Sequence, residues 1–155
     1  MITSAGSDRS FYVAKIISEF FPPNKDFSDF KVLDLAAGTG VLGPHLKKMG
    51  IQHLTAVGKV IKLIYLASLS NQLIYYAKKH YHYKDFSDPM LEELRKKLVY
   101  EKVICTKLGE STGSIPEIKD GTYDIVVIAG GFAHGHMNIQ VLRQAARALK
   151  TGNHV

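Results

Sequence analysis

The sequence is poor in cysteine and has no long apolar run. Cys105 is the single cysteine of 155 residues, so no internal disulfide can form, and its apolar neighbours Val103 and Ile104 predict a buried, inert thiol. No stretch approaches the roughly 18 apolar residues of a membrane span. The first residues also lack a basic region followed by an apolar core, so we expect no secretory signal and a cytoplasmic location.

Acidic residues are absent from a long central stretch. No aspartate or glutamate occurs between Asp34 and Asp85, whereas this stretch holds seven of the lysines behind the net charge of +6. Such a basic face attracts anions, nucleic acid among them, although a solvated lysine-rich surface is the commoner outcome. The sequence has no RNP-type aromatic motif, zinc-finger spacing or arginine-rich arm. Nucleic acid therefore stays open as a partner, without a motif to support it.

The most informative segment present is VLDLAAGTGVLG, residues 32–43. An apolar run ends in Asp34, and a turn of small residues follows from Ala36 to Gly40. Glycines in such a turn let the backbone approach a ligand closely. A carboxylate at the end of a buried strand suits a ribose or a cationic group. The segment therefore predicts a site for a nucleotide-like cofactor.

Apolar periodicity and turn residues predict nine elements that alternate between helix and strand. The predicted helices are 10–21, 41–49, 71–80, 89–98 and 137–150, and the predicted strands are 31–35, 53–57, 102–106 and 123–129. Segment 58–67 fits either an extension of the third helix or a β-branched strand. The alternation indicates an α/β fold with a parallel sheet between helices, in which ligands bind beyond the carboxyl ends of the strands. The loops at Gly38 and Gly130 are expected at that edge.

Four segments follow each other in an order that carries a resemblance. Asp34 to Gly40 fits a strand-ending acid and the loop Asp/Glu-x-Gly-x-Gly-x-Gly, with Ala36 in place of the first glycine. Segments 70–78, 120–126 and 147–152 fit a helix after strand two, a fourth strand and the turn into strand five. Over about residues 30 to 152 the chain resembles the class I (Rossmann-like) S-adenosylmethionine-dependent methyltransferases. Residues 129–136 resemble the small methyltransferase-like proteins of the Williams–Beuren region.

This resemblance implies a Rossmann-like fold that transfers a methyl group from S-adenosylmethionine to an unidentified small-molecule or protein acceptor. Gly38 and Gly40 would let the backbone touch the cofactor, and Asp34 would lie near its charged amino-acid moiety or hold the loop. Ala129 and Gly130 would pass beside the methionyl end. The full set of cofactor-binding candidates is Asp34, Ala36, Gly38, Thr39, Gly40, Ser68, Glu110, Ala129 and Gly130.

Two of those candidates depart from the pattern of the family. The family's second strand usually ends in an acid that binds both ribose hydroxyls, and the helix match puts Ser68 there, after apparent extra sequence at 58–67. A serine cannot form the charged bidentate pair, and the loss costs about 1.5–3 kcal/mol. Glu110 is the nearest candidate for an adenine contact, because Lys107 stands where a carboxylate is expected.

The end of the chain departs from the family as well. The family fold has seven strands in the order 3-2-1-4-5-7-6, and the sequence stops where strand five should begin. We therefore expect an N-terminal helix and connector at 1–30, followed by a C-terminally incomplete cofactor domain at 31–155. The fourth strand would have an open apolar edge, a known route to self-association. A non-catalytic or inactive fragment is the alternative to an active enzyme.

Other chemistries have weaker support in the sequence. His134 and His136 are weak candidates for a general base, and with no acid or cysteine nearby we expect no metal site. Gly38 to Gly43 also matches the dinucleotide-binding pattern G-x-G-x-x-G, but the acid expected about 20 residues later is missing. Lys59 and Lys62 would suit a 2′-phosphate instead.

Overall fold

The computed structural model describes residues 5–58, 89–109, 113–129 and 139–152. Within these ranges the helices are α1 (Ala5–Glu19), α2 (Gly43–Lys48), α3 (Pro89–Lys96) and α4 (Ile139–Ala148). The strands are β1 (Lys31–Leu35), β2 (His53–Gly58), β3 (Lys102–Cys105) and β4 (Ile125–Val127). The predicted helix at 71–80, the segment at 58–67 and the candidates Ser68, Glu110, Gly130, His134 and His136 lie outside the described residues.

The four strands form one parallel sheet in the order β3-β2-β1-β4. Val32 of β1 pairs with Leu54 of β2 on one side and with Ile125 of β4 on the other. The strand order reverses at β1, because β2 and β3 lie to one side of it and β4 to the other. In open parallel sheets, ligands bind in the crevice beyond the strand ends at such a reversal. The predicted Rossmann-like fold is therefore confirmed for the described residues.

The core lies on both faces of the sheet, as the alternation of side chains along a strand requires. Leu33 and Leu35 pack with Val57 and Ile104 on the face that α4 covers, where Val141 and Ala145 complete the cluster. The intervening positions pack on the opposite face. There Val32 and Leu54 meet the apolar sides of α1 and α2, which contribute Ile17, Leu42 and Leu46.

Helix α3 packs directly on β2. Leu91 and Leu94 are buried against Ala56, and a Cβ at Gly58 would occupy the space taken by the Leu91 side chain. Gly58 therefore allows the close approach of this helix to the sheet. The prediction of a helix that starts at Pro89 is confirmed, but it ends at Lys96, and Leu98 has a φ of 52°.

Several predicted boundaries move in the structure for identifiable reasons. The predicted helix 41–49 is limited to Gly43–Lys48, with Pro44 in its first turn, where a missing N–H costs nothing. The predicted strand 123–129 is limited to Ile125–Val127, because Tyr123 instead forms an isolated bridge with Leu149. Cys105 is half-buried and packs against the cluster of Ala56, Leu91 and Leu94, so the prediction of a buried thiol holds only in part.

Two absences hold for the part of the chain that the structure describes. None of its helices combines the length and apolar character that crossing a membrane requires. No group of three or more histidine, cysteine, aspartate or glutamate side chains is placed to hold a metal ion there either.

Candidate functional site

The loop after β1 has an unusual backbone. Ala36, Gly38 and Gly40 all have positive φ angles, of 58°, 57° and 71°. Glycine adopts this conformation freely, whereas for alanine it costs roughly 1–2 kcal/mol. The N–H of Ala37 donates to the carbonyl oxygen of Val57 at 3.2 Å, and the N–H of Gly40 donates to the carbonyl of Ala37 at 2.8 Å. The loop is thus tied to the end of β2 and turned tightly on itself.

Asp34 lies beneath this loop with its side chain 1% exposed. Its strand neighbours are Ala56 on β2 and Val127 on β4, so apolar positions flank it on both sides. Oδ2 accepts a hydrogen bond of 2.7 Å from the hydroxyl of Tyr100. Oδ1 is buried and has no hydrogen-bond partner within the described residues. Burial raises the pKa of the Asp34 carboxyl to about 7, and the Tyr100 hydrogen bond opposes that rise.

Tyr100 contacts this site through Asp34, although no sequence pattern predicted it. It lies just before β3 and meets Asp34 across a separation of 66 positions, which no periodic pattern reveals. Burial together with Asp34 raises the pKa of its hydroxyl, and the nearby backbone of Gly43 opposes that rise. A Cβ at Gly43 would lie 2.7 Å from the Tyr100 ring, and one at Gly40 would lie 3.0 Å from it. Both glycines therefore make room for this ring.

The end of β4 lies beside the loop because β4 pairs directly with β1. Ala129 is half-buried and packs against the cluster shared by α1 and α2. The structure thus brings Ala129 to the same sheet edge as the loop that holds Thr39. The other predicted loop, after β3, is described as far as Gly109, whose N–H donates to Oε1 of Gln144 at 2.9 Å.

A separate groove of about 700 Å³ runs between α1 and β4. Ile16 of α1 and Phe20, which follows that helix, line one wall, and Ile125 to Ile128 line the other. No residue of the loop between Ala36 and Gly40 lines it. Phe20 is 80% exposed, so this groove leaves a large apolar side chain in solvent.

The parallel order β3-β2-β1-β4, with a tight glycine loop after β1 and helices on both faces, is the fold of S-adenosylmethionine-dependent methyltransferases. A profile of the ubiE/COQ5 methyltransferase family matches residues 13–155. The chain belongs to this family. A search of the curated proteins gave no match.

Three solved structures share the fold. A proposed S-adenosyl-L-methionine-dependent methyltransferase from Methanococcus maripaludis aligns with a TM-score of 0.55 at 18% identity, over 97% of this chain and 56% of its own. A SAM-dependent methyltransferase from Aquifex aeolicus gives 0.51 at 20% identity, over 94% and 62%. The glycopeptide N-methyltransferase MtfA, complexed with sinefungin, gives 0.51 at 18% identity, over 93% and 51%. The chain thus spans between half and two thirds of the length of these structures.

Proposed function

We propose that this chain binds S-adenosylmethionine at the carboxyl ends of β1, β2 and β4 and transfers its methyl group to a small-molecule or protein acceptor. The observation that carries the proposal is the loop from Ala36 to Gly40, with three positive φ angles beside the unpaired Oδ1 of Asp34. Family membership and the sinefungin bound to MtfA support this choice of cofactor. The acceptor and the atom that is methylated stay open.

The residues present fit this cofactor on two structural grounds. Gly38 places no side chain on the loop, so a ligand can approach its backbone, whereas the space beside Gly40 is filled by Leu94 and Tyr100. Asp34 offers a buried acceptor with no partner in the described residues, which suits a cationic or N–H donor group. When bound, the cofactor supplies a methyl group already activated by its sulfonium. The chain then has to bind, orient and exclude water, and Ala129 beside the loop leaves room for the methionyl end.

The ribose contact has two candidates. Ser68 is the prediction from the sequence match at 70–78. The packing of α3 on β2 favours a different residue, because α3 is the described helix that lies between β2 and β3 and covers Ala56. If α3 is the family's helix after strand two, the acid belongs just before it. Asp88 precedes Pro89 as the predicted helix cap, which leaves Asp85 to bind the ribose hydroxyls.

These two assignments predict opposite results. If Asp85 binds the ribose, Asp85→Asn weakens S-adenosylhomocysteine binding by about one to two powers of ten and Ser68→Ala leaves it unchanged. If Ser68 is the contact, Ser68→Ala weakens binding and Asp85→Asn does not. Isothermal titration of both variants beside the wild-type chain decides between them.

The proposal also assigns roles to the site residues that were predicted from the sequence and lie outside the described part of the chain. Glu110 would contact the adenine, Gly130 would pass the methionyl end, and His134 or His136 would act as a general base. We also propose that the chain is related to the small methyltransferase-like proteins of the Williams–Beuren region, which its residues 129–136 resemble. We also keep the division into a helix and connector at 1–30 and a cofactor domain at 31–155, and a cytoplasmic location.

The alternative function is a non-catalytic or inactive fragment that retains the methyltransferase fold. Its support is the length of the chain, which spans 56% of the M. maripaludis structure. Within the described residues β4 is an edge strand of the sheet, and such a fragment would self-associate through that edge. In the described part, Tyr123 forms a bridge with Leu149, but β4 itself has no strand partner on the edge away from β1. Ile125, Val126 and Val127 line the groove beside α1. Nucleic acid stays an open partner on the lysine excess alone.

Titration with S-adenosylhomocysteine tests the proposed cofactor site. We expect micromolar binding by the wild-type chain and loss of binding by Gly38→Val, since a β-branched side chain at a φ of 57° distorts the loop. Gly50→Val is the matched control, because Gly50 also has a positive φ, of 93°, but follows α2 and has open space around its Cβ position. Absence of binding to a folded wild-type chain would overturn the proposal.

A further inference from the structure

We propose that Tyr100 is a positioning residue for the cofactor's α-ammonium group. By holding Oδ2 of Asp34, its hydroxyl leaves Oδ1 as the acceptor for an ammonium N–H. This inference rests on the proposed function, because it assigns the contact that the Asp34 carboxyl makes in the cofactor complex. It adds a residue from outside the β1 loop to the binding of the amino-acid end.

The Tyr100 side chain lies between α2 and the central strand. Its hydroxyl donates at 2.7 Å to Oδ2 of Asp34, on β1, and its ring lies 2.7 Å from the Cβ position of Gly43, at the start of α2. One side chain therefore joins the first turn of α2 to the end of the central strand. Since the hydroxyl has a single proton to donate, its bond to Asp34 occupies Oδ2 and leaves Oδ1 free to accept from a ligand.

The Tyr100 ring has little freedom to move. It packs with Leu91 and Leu94 of α3, and the Cβ positions of Gly40 and Gly43 are within 3.0 Å of its atoms. Any rotation of the ring would meet the loop backbone or α3. The hydrogen bond to Asp34 is therefore held by packing as well as by its own geometry, and so is the direction of the carboxylate plane.

The second oxygen of Asp34 is the point that indicates a ligand. Oδ1 is buried, has no partner in the described part of the chain, and lies on a residue whose strand neighbours, Ala56 and Val127, are apolar. A buried acceptor left unpaired is costly, so such atoms usually have a partner in the functional state. Within the described residues no charged side chain shifts the pKa of Asp34, which burial raises and the Tyr100 hydrogen bond lowers. A cation supplied by a ligand would fill this gap.

The ammonium group is the part of the cofactor that matches this requirement. The sulfonium carries no N–H, and the adenosine part is uncharged. The ammonium carries a positive charge and three N–H donors, as a lysine side chain does. S-Adenosylhomocysteine keeps the ammonium, whereas 5′-methylthioadenosine keeps the adenosine and the thioether and lacks the whole amino-acid end. The pair of ligands therefore isolates the amino-acid end, and comparing them on wild type and Tyr100→Phe isolates the part of its binding that depends on Tyr100.

The test compares these two ligands on wild type, Tyr100→Phe and Tyr123→Phe by isothermal titration between pH 5 and 8. Tyr123 is the matched control, a buried tyrosine in the cluster on the opposite face of the sheet. We expect Tyr100→Phe to weaken S-adenosylhomocysteine by about 10-fold, as befits a lost charge-assisted contact, and to leave 5′-methylthioadenosine within about twofold of wild type. Tyr123→Phe should change neither affinity.

The pH dependence of S-adenosylhomocysteine affinity distinguishes a positioning role of Tyr100 from a purely structural one. In the wild type, S-adenosylhomocysteine binding should strengthen as pH rises toward 7 and then level off, because the ammonium favours ionised Asp34. In Tyr100→Phe the levelling point should move to higher pH, since the hydrogen bond that opposes the raised pKa is gone. The 5′-methylthioadenosine affinity should follow neither profile.

Each outcome separates the inference from the proposed function. Equal S-adenosylhomocysteine affinity and an equal pH profile in wild type and Tyr100→Phe overturn the role of Tyr100 and leave the proposed function standing. Parallel weakening of both ligands, with a lower melting temperature and an unmoved pH profile, also overturns it in favour of a structural role. Failure of the folded wild-type chain to bind either ligand overturns the proposed function, and the inference falls with it.

Discussion

Gln144 accepts a hydrogen bond of 2.9 Å from the backbone N–H of Gly109, and this bond joins α4 to the loop after β3. The side chain of Gln144 is 2% exposed, and Gly109 has a φ of 76°. The next residue in the chain is Glu110, the predicted adenine contact. A buried glutamine of α4 therefore holds the backbone just before this predicted contact.

Removing that glutamine tests its importance for the fold. Gln144→Ala removes the acceptor of the buried Gly109 N–H, which costs about 1–3 kcal/mol of unfolding free energy. Gln140→Ala is the matched control on the same helix, because its Oε1 accepts an exposed hydrogen bond from Arg143. The expected cost there is below about 0.5 kcal/mol. Urea unfolding of both variants gives the comparison, and equal stabilities would contradict this role for Gln144.

Ala36 is strained in its present conformation. Its φ of 58° is one that glycine adopts without cost, so Ala36→Gly should raise the free energy of unfolding by about 1 kcal/mol. Ala37→Gly, at the adjacent position without a positive φ, should instead lower stability, since it only adds freedom to the unfolded chain. Chemical denaturation measures both changes. A loss of stability in Ala36→Gly as large as that in Ala37→Gly would mean that the loop does not require a left-handed residue there.

Asp34 predicts a pH dependence of stability in the absence of ligand. Its folded pKa of about 7 lies above the ordinary value of 3.8, so the native state binds more protons than the unfolded chain between these values. The contribution of Asp34 to stability is therefore complete below about pH 4 and is lost as pH rises through 7, by up to roughly 4 kcal/mol at 1.36 kcal/mol for each pKa unit.

Asp34→Asn should remove this slope. Thermal or urea unfolding at several pH values between 4 and 8 measures it in the wild type and the variant. Asp120→Asn serves as the control, because Ser114 and Arg147 lower the pKa of that exposed carboxyl below its usual range. A slope that persists in Asp34→Asn would assign the proton uptake to another group.

The groove beside α1 makes a prediction about self-association. Phe20 is 80% exposed at its rim and Ile16 is 50% exposed. If copies of the chain meet through this groove, Phe20→Ser and Ile16→Ser should shift the sedimentation coefficient toward that of a monomer. Leu98→Ser is the control, since Leu98 is 90% exposed and lies at the end of α3, outside the groove. A wild-type chain that stays monomeric at every concentration would refute association through this edge.

The local sequence was sufficient to predict β1 and its loop. An apolar run that ends in Asp34 before a small-residue turn has few other structural solutions, and β1 has the predicted bounds, Lys31–Leu35. The parallel sheet followed because strands that alternate with helices must be covered on both faces. Helix and strand ends were less accurate, since they depend on tertiary pairings such as that of Tyr123 with Leu149.

The contacts between distant segments could not be predicted in this way. Tyr100 occurs in the short connection between α3 and β3, and nothing in its sequence neighbours indicates that it reaches Asp34. The close packing of Leu91 over Gly58 is likewise a property of the folded sheet. This packing identifies α3 as a helix that covers β2.

A crystal structure of the chain grown with S-adenosylhomocysteine tests the central claim most directly. We expect the ligand to lie against the backbone of Gly38 and Gly40, with its ammonium nitrogen within hydrogen-bond distance of Oδ1 of Asp34. Electron density for the ligand at another place on the chain, or a loop closed to it by the surrounding side chains, would contradict the proposed cofactor site.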